Sequence, residues 1–387
     1  MTASRRPRPS GPGRQGPAAP RRQTLGAHVT GQLLRLCETA GLDEAEGADH
    51  ARTLIAALGP VADRPLDLPA PDRSFLSDDH TPVEFSLSFE GSAPPTLRVL
   101  LEPGCGADDL AQNGRIGLQV VRAMGRNWGF DTERLDELAD LFLPDDPQGA
   151  FALWCALELR AGGTPKVKVY LNPAANGAER SAATVREALH RLGHRRAFDA
   201  LPPGDRHLFF ALDLGAWETP RVKVYLAHHG LTAGEAAGLS RAPGELDPAL
   251  VRDFFRTTTG RVTGGAGDDA RELRPFQSCH AFTETASGRP SGFTLYVPVR
   301  EHAAHDREAL DRALTVLDGL GTDPTPLLRS LPAVTSRRLE DGVGLIAYLG
   351  LAHQTGRPPR VTAYLSSEAY EVRPPRATAL RQAVPVP

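Results

Sequence analysis

Three lysines, the only ones in the chain, lie in two short segments of nearly the same sequence. Residues 166–171 read KVKVYL and residues 221–226 read RVKVYL, and Lys166, Lys168 and Lys223 all lie inside them. The rest of the chain uses arginine for its positive charge. Lysine and arginine differ in hydration, reach and donor geometry, so lysine kept only here indicates a chemical requirement. The alternative is chance placement on two exposed strands.

Both segments are predicted to be β-strands, because β-branched residues alternate in them with polar or aromatic ones. Successive side chains of a strand point to opposite faces. In each segment one face therefore carries cations and a tyrosine, and the other carries valine and leucine. Lys166 lies at the start of its strand, so we expect it near a rim, where it is only a surface charge.

The cation-and-tyrosine face suits an anion and a carbocation together. Arginine and lysine are the usual receptors for phosphate oxygens. Each charge-assisted hydrogen bond contributes roughly 1.5–3 kcal/mol, so several of them can hold a diphosphate without a metal ion. A tyrosine ring stabilises a nearby cation by about 0.5–2 kcal/mol. The pattern favours ionisation of an allylic diphosphate; the alternative is that the cations form interior salt bridges with Glu84, Glu158 and Asp213.

The two lysine segments belong to a repeat of five predicted hairpins. The predicted strands cover residues 83–89, 97–101, 152–160, 166–172, 207–214, 221–227, 278–285, 292–299, 343–351 and 360–366. The second strands align on Arg98, Lys168, Lys223, Thr294 and Thr362, and two residues later on Leu100, Tyr170, Tyr225, Tyr296 and Tyr364. Four of the six tyrosines of the chain thus occupy one position of the repeat.

The repeat predicts an α+β fold in which about ten antiparallel strands close into a barrel, since closure removes the sheet edges. Helices are predicted at 24–40, 44–58, 107–143, 179–192, 232–258 and 301–320. These helices must cover the apolar face, so the cations and tyrosines line the lumen. A barrel of this size is wide enough to hold ligands.

Composition limits the classes of function. A net charge of −3 argues against a general nucleic-acid binder, and no apolar run is long enough for a membrane span. The four cysteines form no CxxC pair, which fits reduced thiols in a cytoplasmic protein. Residues 1–24 are predicted to be a disordered Arg/Pro/Gly-rich tail, and residues 25–387 a single barrel domain. The acidic segment 268–272 has the form of a magnesium motif, but it follows a glycine-rich loop, so we set it aside.

The first strands bring acidic side chains to the same interior. Glu84 alternates with apolar neighbours and is therefore predicted to face inward with Ser86 and Ser88. A carboxylate among cations is either a counter-ion or an acceptor for the N–H of a heteroaromatic ring. The second role raises the nucleophilicity of that ring.

These residues together resemble aromatic prenyltransferases of the dimethylallyltryptophan synthase type, and the composition is similar to that of their bacterial branch. The fold of that family is a barrel of five ββ units ringed by helices, called the ABBA fold or PT barrel. The resemblance runs from about residue 81 to 366. It rests on TPVEFS at 81–86, Arg98, KVY at 168–170, RVKVY at 221–225, Tyr296 and the segment from Arg360 to Tyr364.

The resemblance implies transfer of a dimethylallyl group from its diphosphate to carbon 6 or 5 of the indole of L-tryptophan. It implies no cofactor or metal, a monomer or homodimer, and no nucleic-acid or membrane partner. Glu84 matches the residue that anchors the indole N–H. The residues implied to hold diphosphate are Arg98, Lys168, Arg221, Lys223 and Arg360, and those implied to shield the cation are Tyr170, Tyr225, Tyr296 and Tyr364.

Two positions depart from the fungal members of that family. Where they have a catalytic lysine, this chain has Arg160, which is a poor base because it stays protonated. Arg160 therefore matches the catalytic lysine in position but not in its ability to accept a proton. Glu158, Glu84 and a water molecule remain as candidates for the proton acceptor. Thr294 stands where they have a glutamine near the acceptor, and Trp154 either stacks on the acceptor or packs in the core.

Two other functions remain open on the sequence. One is a prenyltransferase that acts on a phenol, a phenazine or a tryptophan-containing peptide. The other is a non-catalytic barrel that binds a phosphorylated ligand.

Overall fold

The protein is described from a computed structural model that covers residues 22–71, 74–215, 221–242, 246–260 and 274–376. Most of the predicted tail, residues 1–21, and the acidic segment 268–272 lie outside these ranges.

Ten antiparallel strands close into one barrel, which confirms the predicted fold. The strands are β1 (Val83–Phe89), β2 (Thr96–Leu101), β3 (Leu153–Glu158), β4 (Lys166–Leu171), β5 (Arg206–Leu214), β6 (Val222–His228), β7 (Phe276–Phe282), β8 (Gly292–Val297), β9 (Ile346–Gln354) and β10 (Arg360–Ser366). Each strand pairs with its neighbours in the sequence, and β1 also pairs with β10. Every strand therefore has a hydrogen-bonded neighbour on both sides, which leaves no edge to protect.

The two faces of each strand separate as the alternation predicts. On β4, Val167, Val169 and Leu171 are at most 2% exposed and belong to the apolar layer between the barrel and the helices. Lys168 and Tyr170 alternate with them and face the lumen. Burying each aliphatic side chain contributes roughly 1.5–3 kcal/mol, so the sum over ten strands fixes which face points outward.

Eleven α-helices surround the barrel within the described ranges. They are α1 (Leu25–Thr39), α2 (Glu44–Leu58), α3 (Leu110–Trp128), α4 (Glu133–Asp136), α5 (Ala139–Phe142), α6 (Ser181–Arg191), α7 (Ala233–Ala237), α8 (Pro248–Thr259), α9 (Val299–His302), α10 (Asp306–Gly319) and α11 (Thr325–Val334). Among the residues that the structure describes, no helix combines the length and the apolar character that a bilayer crossing requires.

Side-chain caps set where the first helices begin. Thr24 Oγ1 accepts a hydrogen bond from the backbone N–H of Ala27 at 3.2 Å. Asp43 and Glu46 form a reciprocal capping box at the start of α2. Such caps satisfy N–H groups that have no partner inside the helix, and each contributes about 1 kcal/mol.

The single helix predicted over 107–143 is wrong. Its first part, α3, ends at Trp128 because Gly129 adopts the left-handed conformation, with φ of 71°. The short helices α4 and α5 cover most of the remainder. The helix predicted over 232–258 is also two helices, and Pro248 occupies the first turn of the second. Helix α11 was not predicted.

The strand ends also differ from the prediction by up to a few residues. β7 begins at Phe276 and not at residue 278, and β9 begins at Ile346 and not at residue 343. Alternation marks the centre of a strand, whereas its ends depend on where neighbouring strands stop pairing.

The outward face of β5 gives a test of this packing. Phe210 is fully buried and stacks on Phe142 of α5, with ring centroids 5.4 Å apart. We expect Phe210→Ala to lower the free energy of unfolding by about 3–5 kcal/mol, because the change leaves a cavity between barrel and helix. Urea denaturation followed by circular dichroism measures this.

The control for that measurement is Phe75→Ala, because Phe75 is 49% exposed. We expect this change to cost less than about 1 kcal/mol. Equal losses for the two variants would contradict the packing described for β5.

Candidate active site in the barrel lumen

Five cations meet in the lumen, near the end of the barrel where the hairpin turns lie, which we call the turn end. They are Arg98 on β2, Lys168 on β4, Arg221 beside the start of β6, Lys223 on β6 and Arg360 at the start of β10. Each lies within electrostatic reach of at least one other. These are the five residues predicted to hold diphosphate, and we call them the cation cluster.

Two carboxylates lie inside the cation cluster. Glu158 on β3 accepts hydrogen bonds from Arg98, with Nε to Oε2 at 3.0 Å and Nη2 to Oε2 at 2.9 Å. Asp213 on β5 accepts from Arg221 Nε at 2.6 Å, and its other oxygen lies 3.6 Å from Lys168 Nζ. The predicted alternative of interior salt bridges is therefore confirmed for these two acids.

The remaining cations of the cluster are less well compensated. Within the described ranges, Lys223 and Arg360 form no ion pair. Burial and the charges of Lys168 and Arg221 lower the pKa of Lys223 well below its usual value. Burial, with Arg98 and Arg221 nearby, also lowers the pKa of Arg360. An anion bound here would relieve this repulsion.

A belt of four tyrosines lies next to the cation cluster, one residue level deeper in the lumen. The ring centroids of Tyr170 and Tyr225 are 5.7 Å apart, those of Tyr225 and Tyr296 are 5.9 Å apart, and those of Tyr296 and Tyr364 are 5.7 Å apart. The fifth position of this level is Leu100. Four of the five repeats thus place an electron-rich ring at the same height, as the alignment predicted.

Three of the four tyrosines of the belt have raised pKa values. Burial raises the pKa of Tyr225, Tyr296 and Tyr364 above the ordinary value, and neighbouring tyrosines add to the effect for all three. Neutral rings keep their negative faces without adding a charge. The belt can therefore stabilise a cation by its π-systems.

Apolar aromatic residues form the wall beside the tyrosine belt. Trp154 on β3 is 6% exposed and stacks on Phe151, with ring centroids 4.3 Å apart, while Phe209 lies 5.3 Å from Trp154. The packing predicted as one alternative for Trp154 is therefore observed, and its stacking on the acceptor stays a prediction. Phe151 and Phe209 were not predicted, although the alternation of β5 carries a signal for Phe209.

Glu84 lies near the start of β1, at the end of the barrel opposite the turn end. Its register partners are Leu100 on β2 and Ser366 on β10. Burial raises the pKa of Glu84 to about 8, and the positive charges of Arg300 and Arg274 oppose that rise only in part. The side chain therefore faces inward, as predicted, and it does not pair with the cation cluster.

An ion cluster that the sequence did not indicate lies close to Glu84. Asp78 accepts from Arg274 Nη2 at 2.5 Å and Arg373 Nη1 at 2.9 Å, and Arg300 Nε lies 3.2 Å from it. Arg300 is 1% exposed, and its guanidinium stands 4.8 Å from the ring centroid of Tyr348. These residues come from four separate loops and helix ends, so no local spacing connects them.

Three predicted residues lie at the turn end and not beside Glu84. β1 and β3 run in the same direction, Glu84 is near the start of β1, and Arg160 follows the last residue of β3. Arg160 is exposed and donates to Glu158 Oε1 at 2.8 Å. Lys166 is also exposed at this rim, as expected, and Thr294 stands at the level of the lysines. The roles of Arg160 and Thr294 stay predictions.

The lumen thus has three parts in sequence along its length: a cluster of cations, a belt of tyrosine rings, and a buried carboxyl group. Among the described residues, no group of three or more His, Cys, Asp and Glu side chains is placed to hold a metal ion. The arrangement can bind a diphosphate at one end, surround a carbocation, and orient an N–H group at the other end.

Comparison with known proteins agrees with this geometry. The profile described as tryptophan dimethylallyltransferase matches residues 29–325, which is more than half of the 387 residues. The chain belongs to the tryptophan dimethylallyltransferase family. The site is accordingly that of an aromatic prenyltransferase.

Solved structures of the family are similar to this chain over nearly their full length. The prenyltransferase PriB, in a ternary complex with L-tryptophan and dimethylallyl thiolodiphosphate, is 59% identical with a TM-score of 0.89, covering 92% of this chain and 99% of that one. The 5-dimethylallyl tryptophan synthase of Streptomyces coelicolor is 61% identical with a TM-score of 0.87, covering 93% and 100%. The 6-dimethylallyltryptophan synthase of Micromonospora olivasterospora is 42% identical with a TM-score of 0.83, covering 91% and 100%.

The raised pKa of Glu84 predicts a pH dependence of stability. In the unfolded chain a glutamate ionises near pH 4.3, whereas folded Glu84 keeps its proton up to about 8. Between these values only the unfolded state releases the proton, so wild type loses stability relative to Glu84→Gln as the pH rises. Urea unfolding of both proteins at pH 5, 6.5 and 8, values chosen around this window, measures the difference.

Glu44→Gln, at the exposed start of α2, is the control and should follow wild type across the series. A constant difference between wild type and Glu84→Gln from pH 5 to 8 would show that Glu84 has an ordinary pKa.

Proposed function

We propose that this enzyme transfers the dimethylallyl group of dimethylallyl diphosphate to carbon 5 or 6 of the indole ring of L-tryptophan. The observation that carries the proposal is the position of the tyrosine belt, between the cation cluster and Glu84. Solved members of the family support the choice of these two substrates. PriB and the Streptomyces synthase were each solved with tryptophan and a thiolo analogue of the diphosphate.

In the first step the cation cluster draws the diphosphate away from the prenyl carbon. The carbon–oxygen bond breaks, both electrons leave with oxygen, and an allylic cation remains. Arg98, Lys168, Arg221, Lys223 and Arg360 would stabilise the developing charge through charge-assisted hydrogen bonds. Fixed charges aimed at a leaving group supply a large part of such catalysis, and here we propose that they act without a metal ion.

The tyrosine belt would then protect the allylic cation. The four rings follow one another around the lumen at centroid spacings of 5.7–5.9 Å, so we propose that the allylic cation lies against this belt. Each face in contact contributes about 0.5–2 kcal/mol. Burial raises the pKa of Tyr225, Tyr296 and Tyr364, so these phenols would not donate a proton to the chemistry and would act through their ring faces.

Glu84 would orient the acceptor by accepting the indole N–H. Burial raises the pKa of Glu84 to about 8, and Arg300 and Arg274 oppose that rise. A hydrogen bond donated by the indole N–H to the carboxylate would bring the pKa back down and favour the ionised form. Electron density released from nitrogen makes the ring carbons more nucleophilic, and one of them forms the new carbon–carbon bond. Loss of the ring proton then restores aromaticity.

We do not route that proton through Arg160. It lies at the exposed rim, and a guanidinium stays protonated. Glu158 is also a poor base: burial raises its pKa, but Arg98, Arg160 and Lys166 outweigh that effect and lower it. Glu84 or a water molecule is the remaining acceptor of the proton.

We also propose that residues 25–387 act as one catalytic domain in the cytoplasm. The strands of the single barrel span residues 83–366, and Gln32 of α1 donates to the carbonyl of Ser367 at 2.8 Å, which fixes the first helix to the end of the barrel. The four cysteines lie in the described ranges, are buried and form no disulfide bond, which suits a reducing compartment.

The direct test is incubation with L-tryptophan and dimethylallyl diphosphate in the presence of EDTA. We expect one prenyltryptophan and an equal amount of diphosphate, because the cation cluster replaces the metal. Lys223→Met is the control and should lower turnover at least about tenfold, since it removes one diphosphate partner. Absence of product with wild type, with or without magnesium, would overturn the proposed function, and dependence on magnesium would overturn the metal-independent step.

The role of Glu84 has a separate test. We expect Glu84→Ala to lower kcat/KM for tryptophan about 100-fold or more, because a charged hydrogen bond of roughly 1.5–3 kcal/mol and the orientation that it gives are both lost. The affinity for inorganic diphosphate, measured by calorimetry, should change less than about twofold. Equal losses in both quantities would remove the role assigned to Glu84.

A further inference from the structure

Asp213 is placed where a diphosphate site is not expected to have a negative charge. It lies on β5 opposite Lys168 of β4, and its backbone N–H donates to the carbonyl of Arg221 at 3.0 Å. Its side chain is 14% exposed and faces the lumen. One carboxylate oxygen accepts from Arg221 Nε at 2.6 Å, and the other lies 3.6 Å from Lys168 Nζ.

The pKa of Asp213 lies well below the ordinary value of an aspartate. Burial raises its pKa, but Lys168, Lys223 and Arg221 outweigh burial and lower it to about 2. A bound diphosphate would therefore meet a fixed negative charge among the same three cations. At short range in a partly buried site, this repulsion is of the same order as one attractive contact.

Glu158, the other carboxylate of the cluster, is placed differently. It shares its charge among Arg98, Arg160 and Lys166, and the last two lie at the exposed rim. Part of its charge therefore compensates cations outside the proposed diphosphate site, while Arg98 is its one partner in the cation cluster. Asp213, by contrast, lies within electrostatic reach of three of the five clustered cations, Lys168, Lys223 and Arg221.

We propose that Asp213 is a positioning residue that stands in for diphosphate in the empty barrel and weakens the binding of the diphosphate product. In the empty barrel it fixes Lys168 and Arg221 and offsets the repulsion between the cations. When the diphosphate is bound, the carboxylate remains and limits how tightly the product is held. This inference rests on the proposed function, because it requires the cation cluster to be the diphosphate site.

The same geometry predicts how diphosphate binding by an Asp213 variant depends on pH. The charged and titratable groups around Asp213 and its partners are Lys168 on β4, Arg221 and Lys223 beside and on β6, Arg98 on β2, Cys279 on β7, and Tyr170 and Tyr225. Asp213 favours the protonated form of both lysines. Without it, the repulsion between them is uncompensated, so one lysine loses its proton at a lower pH than in wild type.

The experiment compares wild type, Asp213→Asn and the control Asp199→Asn, which removes an exposed acid paired with Arg186 on the surface. The dissociation constant for inorganic diphosphate is measured by calorimetry at pH 6.5 and pH 9, because we expect the variant to lose a lysine proton at a lower pH than wild type. At pH 6.5 we expect Asp213→Asn to bind about tenfold more tightly than wild type, and Asp199→Asn to match wild type. At pH 9 the difference in diphosphate affinity between Asp213→Asn and wild type should be smaller, because the variant has lost a lysine proton.

Steady-state kinetics give a second readout. We expect the inhibition constant of diphosphate to fall for Asp213→Asn by a factor similar to that of the dissociation constant. Asp213→Ser is made in parallel, and the melting temperature of each variant shows whether it is folded.

The outcomes separate the two proposals. Failure of wild type to bind diphosphate would overturn the proposed function together with this inference. Binding by wild type, with unchanged or weaker binding by both folded Asp213 variants, would overturn this inference alone, because Asp213 would then only support the cations. If Asp213→Asn bound diphosphate more tightly than wild type by the same factor at both pH values, the predicted loss of a lysine proton in the variant would be refuted.

Discussion

The closed ring of ten strands is the constraint on which the rest of this structure depends. Strand side chains alternate, and each strand must bury its apolar face, so once the helices cover the outside the polar face has to turn inward. Pairing of β1 with β10 then gives every strand two neighbours and leaves a lumen lined by charges and rings. The site is therefore not an insertion in the fold, because the inward face of the barrel is the site.

Placing like charges in that lumen has an energetic cost that the structure offsets only in part. Glu158 and Asp213 compensate some of the cation cluster, whereas the pKa of Lys223 falls well below its usual value because of burial and its charged neighbours. A cluster in this state gains by binding an anion. At the other end the same burial raises the pKa of Glu84. One physical effect, the loss of water around charges, thus shifts the pKa of a side chain toward its neutral form at both ends of the lumen.

Much of the site could be predicted because it lies on regular strands. Alternation placed Lys168, Lys223 and Glu84 on the inner face, and the repeat brought four tyrosines to one level, as their ring spacings confirm. The ion cluster of Asp78, Arg274, Arg300 and Arg373 could not be predicted, because loops distant in the sequence bring it together. The helix predicted over 107–143 was wrong because a periodic apolar pattern continues across Gly129, where the backbone turns left-handed.

By itself, the sequence determined the number of hairpins, the face on which each charge lies and the chemistry that those charges favour, since these follow from a period of two and from residue type. Only the tertiary structure decided which charges meet. Register between strands placed Asp213 against Lys168 and Arg221. Strand direction separated Arg160 from Glu84 by the length of the barrel. The reason is that distances across a barrel depend on closure and on the register between strands, and the spacing of residues along one strand gives no information about either.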